Sequence, residues 1–160
     1  MMLPENPPRL MSTSNQMLAY VFGAATLLLA LHCFLRPRQE YGRFGLPLEN
    51  AQTNAKTQSH SPFVFIKGSR ELTYGLTLVV LQYQGNVNAI TTFAAIISLA
   101  GLVDGLVVWF NGGQEFRHKA FGHWLAFVVL GSWAAWRARQ AWQDSQEGKW
   151  PEGQFHIWSS

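Results

Sequence analysis

The run Val87–Phe110 is long and apolar enough to cross a bilayer, and it carries a carboxylate inside it. Asp104 follows Ile96, Ile97, Leu99, Leu102 and Val103 and precedes Leu106, Val107, Val108 and Trp109. An acidic side chain at the centre of a lipid-embedded helix costs roughly 2.5–3.5 kcal/mol on insertion scales, so such residues face a protein interior and usually carry function. Any fold of this chain has to give Asp104 a partner.

The rest of the composition agrees with a lipid setting. Hydrophobic residues make up 48% and charged residues 13%, about half the charged share of an ordinary soluble domain. Long uncharged stretches alternate with polar loops, the pattern of a small polytopic membrane protein with one domain in its 160 residues. The one cysteine, Cys33, permits no internal disulfide and reads as a buried thiol. No Cys/His pair has zinc-ligand spacing, so no metal or other cofactor is expected. The net charge of +3 is carried by residues that border apolar segments, which argues against nucleic acid as a partner.

Four spans are expected, at about 17–35, 63–83, 87–110 and 120–136, in an all-α, integral membrane, up-down four-helix bundle. Residues 1–16 read as a disordered polar leader, 36–60 as a polar loop and 143–160 as a polar tail. The first run has Arg36-Pro37-Arg38 behind it and no small-residue cleavage site, so it reads as a span rather than a cleaved signal. Lys67, Arg70 and Glu71 lie at or just inside the boundary of the second span. Gln84-Gly85-Asn86 signals a tight turn. Trp133, Trp136 and Trp142, with Arg137 and Arg139, read as an interfacial belt. Gly101 and Gly105 allow close packing, within the chain or across a homodimer. Of the twelve Lys and Arg residues, eight fall in the segments 36–70 and 111–119 and four on the other side. That bias places both charged loops in the cytosol and both termini across the membrane.

This topology gathers the polar groups in one layer. Arg70 and Glu71 open the second span, and Asp104 lies about 9 Å from the end of the third at 1.5 Å per residue. His123 is three residues into the fourth span, and His32 is near the end of the first. Arg70, Tyr74 and Thr77 share a helical face. Glu71 and Gly75 share the next, with Gly75 leaving room beside the carboxylate, and Lys119 and His123 share a face of the fourth span. Asp104, Arg70 and His123 are therefore expected to converge on one cavity with Tyr74, lined elsewhere by Leu78, Ile97, Phe127 and Trp124. Two carboxylates in unequal settings can divide acid and base roles, and a Tyr or His can supply a proton. Hydration, ring opening, isomerisation and cyclisation need no more than this. The expected partners are a lipophilic small molecule as substrate and membrane lipid. A non-catalytic scaffold with a structural Arg70–Asp104 pair is the rival reading. A transporter ranks below both, because four spans without repeats offer little for alternating access.

The segments RFGLP, GSRELTYGL, LAGLVDGLVVW and KAFGHW resemble those of the small four-span membrane proteins catalogued as a domain of unknown function, number 4267. The matching positions are Phe44-Gly45-Pro47, Gly68-Arg70-Glu71-Leu72-Gly75, Asp104 and His123, with Glu71 where Asp is commoner. Such proteins occur in fungi and bacteria. The resemblance implies a membrane bundle, and through fungal members tied to polyketide or terpenoid pathways it implies an epoxide hydrolase, cyclase or isomerase. For such an enzyme Asp104 is expected as the principal base, Arg70 as the group that holds Asp104 or Glu71 ionised and oriented, Tyr74 or His123 as the proton donor, and Glu71 as the second carboxylate, acid or base. A fungal source and the endoplasmic reticulum membrane are the matching expectations.

Overall fold

The computed structural model describes residues 13–47 and 62–146, which are helical throughout apart from short turns. The order is α1 (Thr13–Leu35), α2 (Pro37–Phe44), α3 (Pro62–Tyr83), α4 (Val87–Asn111), α5 (Gly113–Phe116), a 3₁₀ turn (Arg117–Lys119) and α6 (Ala120–Gln146). The first twelve residues of the expected leader, most of the Gln/Asn/Ser-rich loop and the tail from 147 lie outside the described residues. Within α1 and α4, the segments Met17–Leu35 and Val87–Asn111 are long and apolar enough to cross a membrane.

Each long helix runs antiparallel to the next. Glycines set the spacing of the first pair. A Cβ on Gly75 would lie 2.6 Å from Leu27 Cγ and 2.8 Å from the Gly23 carbonyl, and one on Gly23 would lie 2.8 Å from Val79. The backbones of α1 and α3 therefore touch directly, as small residues at a helix interface allow. The room at Gly75 is filled by α1 and not left beside Glu71. In the second pair, a Cβ on Gly101 would meet the His123 carbonyl at 2.9 Å, and Gly105 receives the Trp124 indole. Both glycines thus face α6 of the same chain. The turn between α3 and α4 uses Gly85 at φ 67°, and the Asn86 side chain caps α4 by accepting from the Ala89 N–H at 3.1 Å.

One core joins the four long helices. Ala19, Leu78, Ile90, Ala94, Ile97, Trp133 and Ala134 are buried together, and Phe22 of α1 meets Trp133 of α6 with ring centroids 5.2 Å apart. The outer surface inverts the usual pattern. Leu28, Leu31, Ile66, Leu76, Val80, Ile96, Leu99, Val103, Leu125 and Val128 are exposed, while Glu40, Lys67 and Arg137 are buried.

Two elements depart from the expectation drawn from sequence. Residues 37–44 form helix α2 instead of loop. Pro37 at its first turn needs no N–H partner, and Glu40, Tyr41 and Phe44 share its buried face. Gly45 closes it at φ 102°, where its N–H reaches the Tyr41 carbonyl at 3.0 Å. Helix α6 runs on to Gln146, past the apolar stretch, and its Arg137 and Trp133 are buried at 2% and 7% exposure. The Arg137 guanidinium lies over the Trp133 ring and donates from Nε to Thr91 Oγ1 at 3.1 Å. Arg137 braces α6 against α4 and Trp133 packs against α1, so of the expected belt Trp136, Arg139 and Trp142 stand outward.

Candidate functional site

Arg70 and Asp104 meet across the α3–α4 interface. The guanidinium donates through Nη2 to Oδ2 at 2.6 Å and through Nη1 to Oδ1 at 3.1 Å, the bidentate fork that a planar guanidinium makes with a carboxylate. The same Nη2 also donates to Glu71 Oε1 at 3.3 Å. Side-chain exposure is 32% for Arg70, 15% for Asp104 and 12% for Glu71. Two carboxylates share one guanidinium, so the cluster carries one more acidic group than basic ones. The Arg70 Nε hydrogen is buried and has no hydrogen-bond partner among the described residues. Tyr74, one turn along α3, holds its ring 5.9 Å from the Arg70 guanidinium carbon and packs edge-on against Phe93. Arg70, Asp104, Glu71 and Tyr74 are thus one group.

His123 is not part of it. Its Nε2 donates to the carbonyl of Phe44 at 2.8 Å, and its ring stacks edge-on against the Phe44 ring at 4.7 Å. It is committed to the end of α2, so the expected convergence of His123 on Asp104 and Arg70 gives way to a clamp on the Phe44-Gly45 element. Lys119, on the same face, donates to the Gly42 carbonyl. A Cβ on Gly45 would lie 2.7 Å from Val108 Cγ1, which, with its positive φ, explains why glycine stands there. The four expected lining residues divide as well. Leu78 and Ile97 are core residues beside Tyr74. Trp124 packs with Phe44, Val108 and Ala120, and Phe127 lies against Gly101.

A second charged cluster appears where sequence reasoning saw only a boundary lysine and a polar loop. Glu40 of α2 is 2% exposed. Its Oε2 accepts from His32 Nδ1 of α1 at 2.6 Å, and its Oε1 accepts from Lys67 Nζ of α3 at 3.0 Å. Lys67 also reaches Cys33 Sγ at 3.7 Å and lies over the Phe44 ring at 5.5 Å. The outward signal was available: Pro37 opens and Gly45 closes an eight-residue run whose Glu40, Tyr41 and Phe44 repeat at helical spacing. Among the described residues, no group of three or more His, Cys, Asp or Glu side chains is placed to hold a metal ion.

The family model described as Domain of unknown function (DUF4267) matches residues 23–137. The chain belongs to this family. The DUF4267 match takes in both charged clusters, the Phe44-Gly45 element and His123. No curated protein and no solved structure matches the chain.

Proposed function

We propose that this DUF4267 chain is a membrane-embedded enzyme that opens an epoxide of a lipophilic, polyketide- or terpenoid-like substrate by acid–base catalysis. In this reading all four long helices cross the membrane as an up-down bundle, with the endoplasmic reticulum as the proposed compartment. The support for the lipid setting is the inverted surface: apolar side chains stand outward on all four long helices, and the charges are paired inside.

The observation that carries the catalytic reading is the sharing of Arg70 by two carboxylates. A pair that served only to neutralise Asp104 needs one acid and one base, and Glu71 is left over. Asp104, gripped on both oxygens, is the oriented base. It takes a proton from water or from a substrate hydroxyl, whose oxygen attacks an epoxide carbon. The C–O bond breaks, and the departing oxygen takes its proton from Glu71 or Tyr74, since His123 is engaged elsewhere. Attack by water yields a diol, and attack by the substrate's own hydroxyl yields a ring. The bidentate geometry itself favours a second reading, in which Arg70–Asp104 is a structural tie within a non-catalytic scaffold.

Asp104→Asn separates the two. The variant and the native chain are expressed in membranes, their amounts matched, and consumption of a panel of lipophilic epoxides is followed. The enzyme reading expects accumulation of the variant with loss of turnover. Full turnover by Asp104→Asn would remove the mechanism. Failure to accumulate, rescued by a neutral change at Arg70, would establish the scaffold.

A further inference from the structure

The Glu40 cluster has a chemical property that a plain ion pair lacks. Glu40 accepts from Nδ1 of His32, so that nitrogen carries the hydrogen, and in the neutral ring the lone pair then lies on Nε2. Lys67 occupies the other carboxylate oxygen and holds the acid in place. A base oriented by a carboxylate on its far nitrogen is the arrangement that readies an imidazole to take a proton. Nε2 of His32 has no protein partner among the described residues, and the ring is 21% exposed. The surface beside it is apolar, since Leu28, Leu31 and Leu35 are 67%, 52% and 70% exposed. A second polar group near the cluster is unmatched too. Tyr41, which packs with Cys33, is 4% exposed and its buried hydroxyl has no hydrogen-bond partner among the described residues. His123 supplies the contrast within the same fold, because its Nε2 is the atom that donates, to Phe44.

We propose that His32 and Glu40 form a second proton-accepting site, open to the membrane at the end of α1, that takes a lipophilic molecule bearing a hydroxyl group. The hydroxyl proton passes to Nε2, the oxygen keeps the electron pair as an alkoxide, and Glu40 stabilises the imidazolium. The proton returns to the same oxygen when the molecule leaves. This site does not depend on the assignment of Asp104.

The test uses the full chain in lipid nanodiscs and a long-chain terminal epoxide as an alkylating probe. Attack by a free imidazole nitrogen forms an N–C bond and breaks the epoxide C–O bond, and the alkoxide takes a proton from water. Peptide mass spectrometry should find the adduct on His32 and not on His123, and Glu40→Gln should lower His32 labelling several-fold. Imidazole nitrogen NMR of the native chain gives a readout that needs no variant and should show His32 with its hydrogen on Nδ1. An unlabelled His32, labelling unchanged in Glu40→Gln, or a His32 hydrogen on Nε2 would each overturn the proposal. Loss of labelling in Asp104→Asn, with Glu40 intact, would instead assign the reactivity to the other cluster.

Discussion

The two charged clusters are built around opposite groups. In one, a carboxylate is enclosed: each oxygen of Glu40 has one partner, and those partners come from α1 and α3. In the other, a guanidinium is shared: Arg70 serves both Asp104 and Glu71, and all three remain partly exposed. The acid-centred cluster ties three helices together, with Glu40 and Lys67 buried and His32 at its open edge. The base-centred cluster ties only α3 to α4 and has a surplus carboxyl. The comparison teaches that charge inside a helical bundle with an apolar surface can be held for two ends. Enclosure of Glu40 anchors a short helix and orients His32, whereas the shared guanidinium leaves a surplus carboxylate beside Asp104. Changes at Lys67 should therefore fall first on folding, and changes at Asp104 and Glu71 first on turnover.

The largest effect should follow from breaking the enclosed cluster. Lys67→Leu leaves the Glu40 carboxylate with a single partner in a buried setting, a change of roughly 3–5 kcal/mol for orphaning a buried charge. Accumulation in membranes should collapse, as read by quantitative immunoblotting. A Lys67→Leu chain that accumulates normally would erase the distinction between the clusters. Next comes Asp104→Asn, which should cost about 100-fold or more in turnover, the range for a lost general base, with little loss of protein. The steady-state rate per mole of chain measures it.

A smaller effect tests the frame that holds both clusters. Gly75→Ala puts a methyl 2.6 Å from Leu27 Cγ and 2.8 Å from the Gly23 carbonyl, and overpacking of this kind costs about 1–3 kcal/mol. Thermal unfolding in detergent should shift down for Gly75→Ala and stay put for Gly122→Ala, where a Cβ meets nothing within 4 Å. The smallest effect should come from His123→Phe. It keeps a ring against Phe44 and leaves the Phe44 carbonyl without its donor, at about 1 kcal/mol. Turnover should survive in His123→Phe, because His123 is bound to α2 and not to Asp104. A loss as large as that of Asp104→Asn would return His123 to the catalytic group.

Much of this was legible in the residues, and the boundary of legibility has a physical cause. The apolar runs marked the helices at 17–35, 63–83 and 87–110 because long, nearly uncharged stretches are strong signals. The Arg70–Asp104 contact followed from topology and the cost of leaving either group alone in hydrocarbon. Helix α2 was missed because eight largely polar residues between two charged turns look like loop, and its helical character depends on the burial of Glu40 against α1 and α3. Lys67 was placed at the boundary for the same reason, since its partner lay in a segment not read as structure. His123 was placed on the right side of the chain but given the wrong partner. Periodicity fixes the face of a helix, and it says nothing about a backbone carbonyl seventy-nine positions away. Arg137 looked interfacial because a lone arginine after an apolar stretch usually is, and its contact with Thr91 comes from tertiary packing.

The most direct test of the central claim exchanges the charges of the shared cluster. Arg70→Asp combined with Asp104→Arg restores opposite charges across α3 and α4 but moves the carboxylate to the other helix and places it beside Glu71. The chain should then accumulate at close to the native level, and consumption of the lipophilic epoxide by those membranes should fall to the level of membranes without the protein. Consumption at the native rate by the exchanged chain would show that the pair serves only to hold the helices together, and would contradict the catalytic account.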